Sequence, residues 1–320
     1  MRTRELLSGG LRIGCVAPDD ARGVRDAEDL GVDSLWVGGH IASRNPGPEA
    51  MVWLARLVEQ TSSVVVGSAV LLLPLYPPAI VAKQVADLDR ASGGRLVLGI
   101  GAGGEYPEEF SACQVPLNER GGRMNEAIPL MRRLWSGELV THPGPHYPMA
   151  DVRIHPGPAR EGGPPIVVAG RQPVAMRRAG QLADGWMPYM YSPRRYRESV
   201  REVCRFGVEA GRELDDFAWL AYVPVCIDDD ADRARRDAAA FLGGTYRQDF
   251  ERLVMHIGAA GTVTDVVARL REYVDAGARH LVLLPCRPDE QQLARLLDEV
   301  VPRIRSRQSA SRSSRRHDSL

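Results

Sequence analysis

The sequence has no excess of charge of either sign: 41 Lys and Arg balance 41 Asp and Glu over 320 residues. No global field draws the chain to nucleic acid or to an anionic membrane, so a dedicated nucleic-acid binder is not expected. Long apolar runs are missing as well. The longest, Val64 to Tyr76, is interrupted by Gly67 and Pro74 and falls short of the roughly 20 residues that cross a bilayer. The start, Met-Arg-Thr-Arg-Glu, runs into Gly9 and Gly10 without an apolar stretch, so no secretory signal is expected. The five cysteines are an odd number without CxxC spacing; they read as reduced, mostly buried thiols of a cytoplasmic protein. Lys83 is the only lysine, and it falls inside a helical pattern rather than at a strand end, which argues against Schiff-base chemistry. Absent too are a G-x-S-x-G elbow, a Walker A loop and an H-E-x-x-H motif. His142, His146 and His155 lack i,i+4 spacing and paired carboxylates, so no metal site is expected.

What the chain does have is an alternation of short β-rich runs with amphipathic helical patterns. The β runs are Leu11–Ala17, Ser34–Val37, Val64–Leu71, Arg95–Ile100, Pro165–Ala169, Gly185–Tyr189, Phe217–Ile227 and His280–Pro285. Helical patterns follow nearly all of them, several opening on proline, as at Pro77-Pro78, Pro173 and Pro193. Eight such units fit an α/β fold of the (β/α)8 TIM barrel type better than an open sheet, with the chemistry at the C-terminal ends of the strands. The length suffices for one large core. A single domain is expected over 1–304, with a Pro/Gly-rich stretch at 137–164 read as a long ordered loop. The Ser- and Arg-rich tail 305–320 lacks apolar anchors and is expected to be disordered.

Three segments at strand ends carry candidate chemistry. Gly99-Ile-Gly101-Ala102-Gly103-Gly104 has the form G-x-G-x-x-G, but it follows the fourth β run, and Glu105-Tyr106-Pro107 is not expected to open a helix for a pyrophosphate. Its glycines read either as a close backbone approach to a flat ring or as a tight turn with no ligand. Ala169-Gly170-Arg171-Gln172-Pro173-Val174 joins a β run to a helix, where free amides, the helix dipole and Arg171 suit a phosphate. His40 ends the second β run, where a histidine can exchange a proton near neutral pH or simply bond locally. Glu119 and Arg123 are spaced for an i,i+4 ion pair. Trp186 and Tyr189 either line the pocket or fill the barrel.

Four stretches together resemble the luciferase-like monooxygenase superfamily: AEDLGVDSLWVGGH (27–40), PPAIVAKQVADLDRASGGRLVLGIGAGGEYPEEF (77–110), NERGGRMNEAIPLMRRLWSG (118–137) and PIVVAGRQPVAMRRAGQLADGWMP (165–188). The resemblance implies a bacterial-luciferase-like barrel holding flavin mononucleotide (FMN) or the deazaflavin coenzyme F-420 at its C-terminal mouth. It implies that a bulged third strand at Ser68 and Ala69, often with a non-proline cis peptide, presses on the cofactor ring. Gly101, Ala102, Gly103 and Gly104 would border that ring, and Ala169, Gly170, Arg171, Gln172 and Val174 would hold its phosphate. His40 matches a position used as acid/base in deazaflavin members, and Glu105 lies close to where some carry a carboxylate. Many members have an acid before that histidine; here Gly39 stands there.

The implied function is an oxidoreductase using coenzyme F-420 for hydride transfer to or from a small organic substrate. The alternatives are an FMN-dependent monooxygenase fed by a partner reductase, and a non-catalytic cofactor-binding paralogue. The resemblance also implies a homodimer.

Overall fold

Four- to six-residue apolar runs buried on both faces are what a parallel sheet needs when helices cover it, and this chain supplies them in series. In the computed structural model, which describes residues 10–42, 47–246, 249–287 and 290–305 together with Leu7, the first half runs β1 (Arg12–Val16), α1 (Ala21–Asp29), β2 (Ser34–Val37), α2 (Ala50–Gln60), β3 (Val65–Ser68), β4 (Leu71–Leu72), α3 (Pro78–Ala91) and β5 (Leu96–Gly101). It continues through α4 (Pro107–Ala112), α5 (Arg120–Trp135), β6 (Val140–His142), β7 (Met149–Val152), β8 (Ile166–Ala169), α6 (Pro173–Leu182), β9 (Gly185–Met187) and α7 (Pro193–Glu209). The last part is β10 (Ala218–Ile227), α8 (Ala231–Tyr246), α9 (Glu251–Ile257), β11 (Ala259–Gly261), α10 (Val263–Asp275), β12 (His280–Pro285) and α11 (Glu290–Arg295).

Among the described residues, eight parallel strands close into a barrel in the order β1-β2-β3-β5-β8-β9-β10-β12, with β4 continuing β3 alongside β5. The β9–β10 pairing, Gly185 opposite Ala218, closes the ring. Helices pack outside through faces set by their spacing; α2 turns Ala50, Met51, Leu54, Leu57 and Val58 inward. Trp36 fills the centre of the barrel. It is fully buried among Val65, Val97, Val167, Met187, Leu220 and Val282, and a Cβ at Gly67 would lie 2.5 Å from its ring. Its indole N–H donates to Ser34 Oγ at 2.7 Å, and that oxygen is 2.7 Å from His280 Nε2. Burial first, then the Arg12 charge, pushes His280 down to about 3, so this floor is neutral at pH 7. A packed floor leaves the mouth as the place for a ligand.

The structure departs from the sequence reading in three places. The stretch 137–164 is not only loop: β6 and β7 pair antiparallel. Glu126 on α5 holds the tip of this hairpin, accepting from His146 N at 3.0 Å and Tyr147 N at 2.8 Å, with His142 Nε2 at 2.9 Å. The third β run, as the resemblance implied, is interrupted by a cis peptide, Ala69–Val70, between β3 and β4. A helix does open at Pro107, although Glu105-Tyr106 was not expected to lead into one. The three-residue β11, too short to show as a β run, pairs with the upper half of β10. Of the tail, only Arg305 is described, donating to Asp33 at 2.7 Å; the rest lies outside the described residues.

One carboxylate ties α1 to the base of β3, whose upper end carries the site. Glu28 accepts from the amides of Ser62, Ser63 and Val64 and from the Ser63 hydroxyl. Partial burial alone would raise its pKa, but these donors outweigh burial and pull it down to about 2. A folded-state value below the unfolded one contributes stability that is present above about pH 4.5 and lost as pH falls toward 2. Glu28→Ala is expected to lower stability at pH 7 by about 1–2 kcal/mol, with a smaller deficit at pH 2–3, measured by urea unfolding across pH.

Candidate active site

The mouth is assembled from the ends of four neighbouring strands. After β2 the chain passes through Gly38 and Gly39 to His40. The imidazole Nδ1 lies 3.1 Å from each carboxylate oxygen of Glu109, and its ring meets Tyr106 edge-on at 5.1 Å. Glu109 stands in the first turn of α4, fully buried. Its Oε1 also accepts the backbone N–H of Ile41 at 2.7 Å and of Ala42 at 3.2 Å. An ionised carboxylate out of water is tolerated only with such donors. A carboxylate only accepts, so a neutral imidazole in this geometry donates from Nδ1–H to Glu109 and keeps its lone pair on Nε2.

The carboxylate suggested by the sequence, Glu105, is exposed in the loop between β5 and α4. The acid that reaches His40 is Glu109, one helical turn further on. Pro107 at the first helical position was the available signal: it starts α4 and rotates Glu109 and Phe110 inward while Glu108 faces solvent.

The residues expected to border a cofactor ring come together on the adjacent strands. Ser68 is buried, its hydroxyl donating to the Gly99 carbonyl at 2.7 Å. Ala69 N–H donates to the Val37 carbonyl at 2.6 Å. A Cβ at Gly38 would sit 2.7 Å from Ala69 O, and one at Gly101 would sit 2.8 Å from Val70 Cγ2, so β2, the Ala69–Val70 peptide and β5 are in close contact. Ala102 is half-buried, and Gly103 and Gly104 take positive φ, the latter against the Arg120 side chain.

The segment 169–174 runs from the last residue of β8 into the first turn of α6. Gly170 has φ +136°, which disfavours a side chain, and its carbonyl accepts from Trp186 Nε1 at 2.9 Å. Gln172 caps α6 without a side-chain hydrogen bond, and Pro173 opens the helix. The Arg171 guanidinium lies over the Tyr189 ring, 4.8 Å from its centroid. Gln172 and Val174 are exposed beside it. Trp186, by contrast, is fully buried. Pro173 has no N–H and the Gln172 carbonyl takes the Ala175 and Met176 amides, so the fit to a phosphate monoanion or diester rests on the helix dipole, a first turn without acids and the neighbouring guanidinium. Glu119 and Arg123 form the expected i,i+4 pair at 2.9 Å.

The model of the luciferase-like monooxygenase family matches residues 18–280, most of the chain. The chain belongs to the luciferase-like monooxygenase family. It is 31% identical to the F420-dependent glucose-6-phosphate dehydrogenase of Nakamurella multipartita over 308 residues, covering 88% of this chain and 90% of that protein. The enzyme of the same name from Intrasporangium calvum is also 31% identical, covering 92% and 99%. Among solved structures, an F420-dependent secondary alcohol dehydrogenase in complex with an F420-acetone adduct superposes with a TM-score of 0.84 at 21% identity, covering 93% of this chain and all of that one. The coenzyme F420-dependent tetrahydromethanopterin reductase of Methanopyrus kandleri gives 0.78 at 20% identity, covering 92% and 100%. At those identities the structures share the fold of this family member.

Glu109, and not Glu105, holds the start of the loop after β2. Glu109→Ala strands the Ile41 and Ala42 amides. It is expected to cost about 2–3 kcal/mol and to lower the hydrogen-exchange protection of those two amides, while Glu105→Ala leaves both unchanged.

Proposed function

We propose that this chain is an oxidoreductase that uses coenzyme F-420 for hydride transfer to or from a small organic substrate, with His40 as the acid/base. The observation that carries the reading is the buried Glu109 on His40 Nδ1, which leaves Nε2 to take or return the proton of a substrate hydroxyl. In its supporting role, Glu109 stabilises the imidazolium that forms when Nε2 takes the proton. The curated relatives bearing the name F420-dependent glucose-6-phosphate dehydrogenase add the cofactor class and the oxidation of an alcohol.

The residues present fit such a cofactor. Ser68, Ala69, Gly101, Ala102, Gly103 and Gly104 offer backbone and small side chains to a flat ring. Ala169, Gly170, Arg171, Gln172 and Val174 offer the helix dipole and a guanidinium to its phosphate. When bound, the deazaflavin supplies the hydride-carrying ring; the chain binds it, orients it and manages the proton. We take the catalytic domain to span 1–304 and the protein to act in the cytoplasm as a homodimer, with a separate reductase maintaining the cofactor pool. The described cysteines carry no disulfide, which suits a reducing compartment, and the exposed Val52 on α2 and Ile80 on α3 offer apolar surface to a second copy.

Turnover of oxidised F-420 with glucose 6-phosphate or a simple secondary alcohol tests the reading. His40→Ala is expected to lower kcat by about 100-fold or more with F-420 affinity unchanged. Arg171→Ala is expected to weaken F-420 binding by about tenfold with kcat retained at saturation. A His40→Ala protein that turns over at the parent rate would overturn the assignment.

A further inference from the structure

His40 follows Gly39, and the backbone there runs against the return limb of its own loop. A Cβ at position 39 would lie 2.5 Å from the Pro48 carbonyl oxygen and 2.5 Å from the Ala50 nitrogen. An acid before the histidine therefore does not fit unless the start of α2 moves. The limb itself carries a carboxylate, that of Glu49. Its Oε2 accepts Val52 N–H at 2.9 Å, capping α2, and its Oε1 accepts the Tyr76 hydroxyl at 2.6 Å. Tyr76 stands a few residues beyond the cis Ala69–Val70 peptide, just after the turn that follows β4. It packs on the cluster of Leu72, Leu75 and Phe110, the last adjacent to Glu109 on α4. Burial first, then the bond to Glu49 and the charges of Glu49, Cys113 and Glu109, push the phenol well above its ordinary range, so it remains a donor.

The loop after His40 is thus held at both described ends. Glu109 takes the amides of Ile41 and Ala42 at its start, and Glu49 with Tyr76 takes its end. We propose that Glu49 and Tyr76 are a positioning pair that fixes the backbone of Gly39 and His40, so that the imidazole stays on Glu109. Neither residue hydrogen-bonds to the ring; both act through the loop limb packed on Gly39. For turnover the proposal rests on the hydride-transfer reading above, but its structural part does not.

The test has two readouts. The first is the imidazole N–H proton resonance of His40, assigned with His40→Gln, in cofactor-free protein. Tyr76→Phe and Glu49→Ala are each expected to broaden or shift it, whereas Glu49→Gln preserves it. The glutamine can still accept from Val52 N–H through its carbonyl and meet the Tyr76 oxygen through its amide. The second is steady-state kinetics with F-420. Each disrupting variant is expected to lower kcat by about fivefold with the KM for substrate and the affinity for F-420 unchanged. The double variant Tyr76→Phe/Glu49→Ala is expected to fall no further than either single one, since the two act as a unit. An unmoved His40 resonance in Tyr76→Phe, or a double variant showing the product of the single effects, overturns the pairing. If the protein turns over no substrate with F-420, the resonance alone decides, so failure of the cofactor reading and failure of the pair are told apart.

Discussion

The mouth of this barrel depends on one buried carboxylate. Glu109 is withdrawn from water, a state that would cost several kcal/mol without partners, and three donors offset that cost: the Ile41 amide, the Ala42 amide and His40 Nδ1–H. The same three bonds join the loop after β2 to the helix after β5. They select the imidazole tautomer and fix where its free nitrogen stands. Loss of the carboxylate would leave the histidine on an untethered loop, and loss of the donors would leave a charge without solvation. Structure and proposed chemistry therefore rest on the same interaction.

Below the mouth, the barrel is closed by packing. Trp36 occupies the centre because its neighbours are small where it needs room, at Gly67 and Gly14, and because its single polar atom is satisfied by Ser34. The candidate site groups lie above that floor, at the C-terminal strand ends. There His40 follows β2 and the segment 169–174 leads from β8 into α6, with the Ala69–Val70 peptide and the 101–104 turn on β3 and β5 between them. Under the proposed function, that order would give a flat ligand a proton-handling side and a phosphate-handling side.

The barrel was legible in the sequence because buried parallel strands are written as continuous apolar runs, and prolines mark several helix starts. His40 and the segment 169–174 were legible because both sit at strand ends, where the fold puts chemistry. Glu109 was not, since EYPEEF offers three glutamates and the choice among them depends on how α4 is rotated, which the packing of Phe110 decides. The hairpin β6–β7 was hidden by its prolines and glycines; it is held by the distant Glu126, a tertiary contact that no local pattern reports. The glycine at 39 looked like a missing acid. In three dimensions it is a steric requirement of the limb from Pro48 to Ala50.

Which cofactor the mouth selects is the central claim, and one titration addresses it directly. Purified protein would be titrated with coenzyme F-420 and with FMN, each oxidised and reduced, by fluorescence or calorimetry under the same conditions. Micromolar binding of F-420 and markedly weaker binding of FMN are expected. Tighter binding of FMN, or binding of neither, would contradict that claim.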